Sequence, residues 1–321
     1  HYNFWPLEYD PLMPKNGGPD DESQEPGQLF DLMEVLSDGR AVRQLNHPLA
    51  ESLFGRDEGY FTAVDYDWRV AVPSAAADTP EGQLARRPGG PDGARNVDHH
   101  VQEVMNGTNN GVFLKYRAFW HYLLNQGFPR AGTANSDSHT IGGEVMGFPR
   151  TLVYTETTVA DFDEDAFNAA VRSGALVGTN GPVLEAWIQD GDATYWPNVT
   201  PVELSDSAIL HVTVRAAPWV PVEEVRLVVN GEVVEALSDL PQPADPFGVE
   251  GLERLETSFA LSDLVSGQGD AWLSVEAGTP LVDNADLDCD GIPGDLGDDC
   301  GPGPDVEIDD SVDPGELPEC G

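Results

Sequence analysis

The sequence predicts an α/β domain, an immunoglobulin-like β-sandwich and an acidic tail, in that order along 321 residues. Up to about residue 185, strand-like runs alternate with helical patterns, which is typical of an α/β fold. Beyond that point short strands follow one another without helices, which indicates a β-sandwich of about 100 residues. We therefore expect an α/β domain at 1–185, a sandwich at 186–282 and a tail at 283–321.

Two local patterns predict where elements end. Asp163 is the expected N-cap of a helix that Gly174 ends, and Phe162 and Phe167 are the expected hydrophobic staple around that cap. Within the sandwich, Asn230-Gly231 separates two alternating apolar runs, which predicts a tight hairpin. Both predictions rest on side-chain chemistry that acts within a few residues.

Candidate site residues lie at the ends of predicted strands. Strands are expected at residues 1–9, 41–45 and 101–107 because apolar and β-branched residues cluster there. The stretch 51–98 has few core-forming residues, which is typical of a lid or a substrate-binding insertion. Aromatic and basic residues of this insertion could line a pocket: Tyr66, Trp68 and Arg69.

The motif Asn135-Ser136-Asp137-Ser138-His139 carries a candidate metal half-site. If it is strand-like, Asp137 and His139 project from the same face, so that one carboxylate and one imidazole reach one cation. His47, after the 41–45 strand, and His1, which opens the first strand, are candidate partners. A hydrogen-bonded turn after a helix is the alternative interpretation of Asp137 and His139, and both stay open at this point.

Four other ionisable residues of the α/β part are interpreted from the residues next to them in the sequence. Glu103 alternates with apolar residues at the end of its strand, so we expect it beside the candidate histidines. His121 lies at the rim of an apolar helix stripe and is interpreted as structural. His99 and His100 stand in a polar turn, which predicts surface histidines.

Composition excludes several kinds of partner. The chain has 16 Lys and Arg against 57 Asp and Glu, a formal net charge of −41. Nucleic acids and anionic membranes are bound through basic faces, so neither is an expected partner. No apolar run approaches the roughly 20 residues of a membrane helix. The charge fits a secreted, periplasmic or cell-surface protein, and the absence of an initial Met predicts a processed chain or a fragment.

The tail contains the three cysteines and a candidate calcium loop. A Cys289–Cys300 disulfide would leave Cys320 unpaired. Alternating aspartates before a glycine can place several carboxylates around one Ca²⁺ ion, although the spacing is not that of an EF-hand. A disordered acidic tail is the alternative, and the two stay open. The candidate calcium ligands are Asp286, Asp288, Asp290 and Asp295.

Five motifs occur in an order that resembles a known family. They are His1-Tyr2-Asn3-Phe4, Asn46-His47-Pro48, Glu103-Val104-Met105-Asn106-Gly107, Asn135-Ser136-Asp137-Ser138-His139 and Thr179-Asn180-Gly181-Pro182. With these, residues 1–282 resemble the carbaryl-hydrolase branch of the polymerase and histidinol phosphatase superfamily. The resemblance implies a distorted α/β barrel of parallel strands with a two- or three-metal centre of zinc, manganese or iron.

The same resemblance implies an activity and a ligand set. The activity is hydrolysis of ester, carbamate, amide or phosphoester bonds of a small-molecule substrate by a metal-activated water. The ligands would be His1, His47, Asp137 and His139. Glu103 and Asn135 match motif positions that either bind the metal or support its ligands.

One departure from the family pattern is large. The family begins with a His-x-His strand followed by another histidine and a glutamate, and none of these precedes His1. The resemblance is therefore to the C-terminal part of such a barrel, and a separate N-terminal chain could complete it.

Two other function classes remain open. A mature N-terminal His1 can chelate copper through its amine and ring together with a second histidine, as in polysaccharide mono-oxygenases. A secreted binding or surface protein with a calcium-binding tail needs no catalytic metal, and the incomplete ligand set favours it. Metal content separates the three functions.

Overall fold

The computed structural model divides the chain into two units, His1–Val282 and Asp283–Gly321. The second unit, with the cysteines and the candidate calcium ligands, lies outside the described residues, as do Trp68 and Arg69. The structure describes residues 1–19, 24–49, 61, 66–67, 72–73, 95–107, 110–125, 127–140, 145–265 and 269–281.

Strands dominate the described part of the chain. They are β1 (Tyr2–Trp5), β2 (Val42–Leu45), β3 (Tyr66–Asp67), β4 (Val72–Pro73), β5 (Val101–Asn106), β6 (Ala131–Asn135), β7 (Arg150–Val153), β8 (Leu176–Thr179), β9 (Val183–Asp190), β10 (Ala193–Tyr195), β11 (Ile209–Arg215), β12 (Glu224–Val229), β13 (Glu232–Leu237), β14 (Glu253–Ala260) and β15 (Leu273–Gly278).

The described α-helices are shorter in total than the strands, and none is long and apolar enough to cross a membrane. They are α1 (Pro26–Leu36), α2 (Asn110–Asn125), α3 (Glu164–Ser173) and α4 (Leu261–Leu264). Single 3₁₀ turns occur at Pro14–Gly17, Arg95–Val97 and Val159–Asp161.

The first sheet has the strand order β1-β2-β5-β6. β2, β5 and β6 are parallel, with Leu45 opposite Gln102 and Glu103 opposite Thr133. β1 is antiparallel to β2, and its Tyr2 pairs with Leu45. The start of β1 and the ends of β2, β5 and β6 therefore meet at one edge of this sheet.

The predicted α/β barrel is wrong. A barrel of this kind closes when every strand has a parallel neighbour on each side. Here β1 at one edge is antiparallel, and β7 and β8, which are separated by α3 in the chain, pair with each other antiparallel. Within the described ranges the sheets stay open and the chain is mainly β, so the fold is not the C-terminal part of a parallel barrel.

Apolar side chains cover both faces of the first sheet. Val42 and Leu45 are three residues apart on β2 and project from opposite faces. Leu45 packs with Tyr116, Phe119 and Leu123 of α2. Val42 packs with a second buried group, formed by Val101, Ala131, Val171 of α3 and Leu176 of β8.

Two further sheets share one core downstream of β8. Their strand orders are β10-β9-β11-β14 and β13-β12-β15, and their pairings are antiparallel. Val212 and Val214 of β11 pack with Val225 and Leu227 of β12, all within 1% exposure. The predicted hairpin between β12 and β13 is confirmed, because Asn230 and Gly231 have φ of 52° and 92°, which a type I′ turn requires.

Both ends of α3 form as predicted. The Asp163 side chain accepts a hydrogen bond from the Ala166 backbone N–H at 3.0 Å, and the Phe162 and Phe167 rings lie 5.7 Å apart. Gly174 follows the helix with φ of 83°, in the left-handed region that glycine adopts at low cost. Local capping chemistry therefore fixes the bounds of this helix.

Replacing Asp163 with Ala is expected to lower the free energy of unfolding by about 1 kcal/mol, because the cap hydrogen bond is lost. Urea denaturation followed by circular dichroism measures the change. Glu164→Ala in the same exposed helical turn is the matched control, with an expected change under about 0.5 kcal/mol. Equal losses in the two variants would contradict a capping role for Asp163.

Candidate functional site

The edge where β1 starts and β2, β5 and β6 end collects most of the predicted site residues. His1 precedes β1, His47 follows β2, Glu103 lies within β5 and Asn135 ends β6. Parallel strands direct their carboxyl ends to the same edge, and antiparallel β1 directs its amino end there. Residues that are up to 134 positions apart by number, His1 and Asn135, thus reach one place.

The imidazoles of His1 and His47 are in direct contact. His1 Nδ1 and His47 Nε2 are 2.7 Å apart, and the rings meet edge to face at a centroid distance of 4.6 Å. The backbone N–H of Asn46 donates to the His1 carbonyl at 3.0 Å, which continues the β1–β2 ladder up to the histidines. The sheet itself therefore sets the position of this nitrogen pair.

Glu103 joins three strand ends through its carboxylate. Its Oε2 accepts hydrogen bonds from the His47 backbone N–H at 2.5 Å and from Asn106 Nδ2 at 3.0 Å. Its Oε1 accepts from Asn135 Nδ2 at 3.0 Å. Only 1% of Glu103 is exposed, so these donors replace water around a buried carboxylate. A register shift between Glu103 and Met105 brings Asn106 within reach.

Burial and hydrogen bonding have opposite effects on the pKa of this carboxylate. Burial raises the pKa of Glu103, the donors on His47, Asn106 and Asn135 lower it, and the charge of Asp137 raises it again. Burial, followed by the charges of Glu103 and Asp137, also raises the pKa of the Tyr116 hydroxyl on α2. Tyr116 therefore belongs to the electrostatic surroundings of the site, although its apolar helix stripe indicated only a core role.

Asp137 and His139 approach each other, but not as a strand. β6 ends at Asn135, and Asp137 has φ of 49° in the left-handed region, so the strand alternation assumed for the motif is wrong. Asp137 Oδ1 lies 3.9 Å from His139 Nε2, and the two side chains are 47% and 73% exposed. The pair faces solvent, whereas Glu103 is buried.

The predicted residues contact one another in pairs and do not surround one point. His1 contacts His47, Glu103 binds the His47 backbone and Asn135, and Asp137 contacts His139. Within the described residues, no group of three or more His, Cys, Asp or Glu side chains is arranged to hold a metal ion. Positive φ occurs at both His47 (31°) and Asp137, so two candidate ligands have backbone conformations that non-glycine residues seldom adopt.

The prediction that His99 and His100 lie on the surface is wrong. His99 is 3% exposed, and its Nε2 accepts a hydrogen bond from Arg130 Nε at 3.1 Å. His100 Nδ1 accepts from the Arg43 backbone N–H at 3.1 Å. Burial, with Arg130 next, holds the pKa of His99 well below its usual value, and burial with Arg43 lowers that of His100 to about 3. A polar sequence context does not reveal that Arg43 and Arg130, which are distant in sequence, contact these rings.

Comparison with known proteins adds no assignment to this geometry. No protein-family model, no curated protein and no solved structure matches the chain.

Replacing Glu103 with Gln is expected to lower the free energy of unfolding by about 1–3 kcal/mol, because the new amide N–H₂ faces N–H donors and leaves them unsatisfied. Urea denaturation measures the loss. Glu185→Gln is the control, since Glu185 bonds Arg215 at the surface and exposed pairs contribute at most about 1 kcal/mol. A Glu103 variant as stable as the wild type would show that the carboxylate does not hold the strand ends together.

Proposed function

We propose that the chain is a metal-dependent hydrolase of ester, carbamate, amide or phosphoester bonds, with its cation at the His1–His47 edge of the first sheet. The observation that carries the proposal is the 2.7 Å approach of His1 Nδ1 and His47 Nε2. Imidazole nitrogens are common ligands of zinc, manganese and iron. A cation bound by both rings would replace the proton between them, and the two nitrogens would separate to more than about 3 Å because zinc–nitrogen bonds are about 2.0–2.1 Å long.

The surroundings of the two histidines fit a cation. Glu103 directs both of its oxygens to N–H donors, so in this proposal it orients His47 and Asn135 and does not bind the cation. His47 would then act as a ligand whose backbone position is fixed by its hydrogen bond to Glu103. Asp137 and His139, which are exposed beside this edge, are the remaining proposed ligands.

The positive charge of a bound cation would supply the chemistry of hydrolysis. A bound cation of this kind lowers the pKa of a coordinated water toward neutrality and polarises the scissile carbonyl or phosphoryl oxygen. His1 and His47 would bind as neutral rings and Asp137 as a carboxylate. The order of the five motifs and its resemblance to carbaryl hydrolases add support for hydrolysis, and the acidic surface suits a protein exported from the cell.

Replacing His47 or Asp137 with Ala is expected to remove bound metal and to reduce hydrolysis of chromogenic esters by more than about 100-fold, since even residues that only orient ligands cost 10–100-fold. Inductively coupled plasma mass spectrometry of the purified chain and an esterase assay measure the two effects. His211→Ala is the control, because His211 stacks on Trp187 in the sandwich at 5.2 Å.

Three results would contradict the proposal. Asp137→Ala could leave both metal and esterase activity unchanged, the wild-type chain could lack transition metal while folded, or it could bind copper tightly and need a reductant for activity. The last result would instead support the copper chemistry that an N-terminal histidine permits.

A further inference from the structure

Helix α2 contacts the sandwich through a set of side chains that we call the seam. Its members are Arg117, His121 and Asn125 of α2, and Asn230, Trp272 and Glu276 of the sandwich.

A buried ion pair forms the first part of the seam. Arg117 is 2% exposed, and its Nε and Nη2 donate to Glu276 Oε1 at 2.5 Å and Oε2 at 2.8 Å. Val275 packs into the sandwich core, so the neighbouring Glu276 projects outward from β15 toward α2. Both oxygens of Glu276 are therefore engaged by one guanidinium.

Amide and indole groups form the second part. Trp272 Nε1 donates to Asn125 Oδ1 at 2.7 Å, and Asn125 Nδ2 donates to the Asn230 carbonyl at 3.1 Å. The Trp272 backbone N–H donates to Asn230 Oδ1 at 3.1 Å. The hairpin turn at Asn230 is thus bonded to the last turn of α2.

His121 lies between the two parts and is 2% exposed. Its ring is 4.8 Å from the Trp272 ring, and its Nε2 is 3.8 Å from Glu276 Oε1. Among the described residues, Arg117 on α2 and Glu276 on β15 are charged groups that face it. Arg226 of β12 is the ladder partner of Glu276, and its guanidinium forms an ion pair with Glu224. A proton on His121 would add a second cation beside a carboxylate that Arg117 already neutralises.

The seam also borders empty space. A cavity of about 2210 Å³ is lined by Arg117, Trp120, Asn125, Trp272 and Glu276. Water in the cavity can hydrate these side chains when they part from one another, while Phe119 and Leu123 keep α2 packed on the first sheet. Local openings of this kind need less free energy than global unfolding.

We propose that the seam is an acid-operated joint, in which proton uptake by His121 releases the C-terminal half of α2 from β15 while the sheets stay folded. Burial and then Arg117 hold the pKa of His121 well below 6.5 in the closed joint, whereas an opened and hydrated ring titrates near 6.5. The open state therefore binds one more proton below about pH 6.5. The joint keeps its full stability above that pH and loses it as the pH falls toward the closed-state pKa, by up to about tenfold in the opening equilibrium per pH unit.

The joint is tested by the exchange rates of indole N–H groups in the full chain. NMR measures these rates between pH 7 and pH 5, and each rate is divided by that of free indole at the same pH. The Trp272 Nε1–H bonds across the seam, and its normalised exchange is expected to rise up to about tenfold per pH unit below 6.5. The backbone N–H of Val212, in β11 between β9 and β14, is the reference, and its exchange relative to an unstructured amide is expected to stay constant.

Variants test whether the pH dependence of Trp272 exchange comes from the His121 imidazole. His121→Phe, or His121→Gln if the first does not fold, is expected to abolish the pH dependence at Trp272. His99→Gln is the matched control, because His99 is equally buried and its ring bonds Gln102 and Arg130, which are not members of the seam, and it is expected to preserve that dependence. The proposal is overturned if Trp272 exchange does not change with pH, if both His121 variants keep the dependence, or if the Val212 N–H and the Trp272 indole open together.

Discussion

The carboxylate of Glu103 is the interaction on which the candidate site depends. It accepts N–H groups from the segment after β2, from β5 itself and from the end of β6. A buried carboxylate with fewer donors would cost about 1–3 kcal/mol or more, so each of the three strand ends contributes to the stability of the other two. Because one donor is the backbone of His47, the same bond sets where the His47 ring lies, and the β1–β2 ladder brings His1 to meet it.

Features that depend on neighbouring residues could be predicted from the sequence. The cap at Asp163, the end of α3 at Gly174 and the hairpin at Asn230-Gly231 follow from chemistry within a few positions. The direction of β1 does not, because its residues suit a parallel or an antiparallel neighbour equally well. The parallel barrel was expected from the family resemblance, and the residues of β1 do not contradict that expectation. The burial of His99 and His100 likewise depends on which strands enclose the turn, which no local pattern states.

The sequence predicts which residues meet at the candidate site better than it predicts how they are arranged there. His1, His47, Glu103 and Asn135 do meet at one sheet edge, as their positions at strand ends indicate. The alternation expected for Asp137 and His139 fails because β6 stops at Asn135 and Asp137 turns into the left-handed region. The hydrogen bonds of Asn106, and the place of Tyr116 in the electrostatics, require the bulge in β5 and the packing of α2, which are tertiary features.

Helix α2 connects this site to the sandwich. Its Tyr116 lies in the field of Glu103 and Asp137, and the next residue, Arg117, binds Glu276 of β15. A change at the seam therefore reaches a helix that also covers the site, and the two regions share one rigid element.

The claim that His1 and His47 form a cation site is tested most directly by ¹⁵N NMR of the histidine rings during zinc titration of the full chain. The predicted result is that the resonances of His1 Nδ1 and His47 Nε2 move together and stop moving at one equivalent of zinc, while those of His211 stay in place. Saturation without any movement of these two nitrogens, or the absence of saturable binding, would contradict the claim.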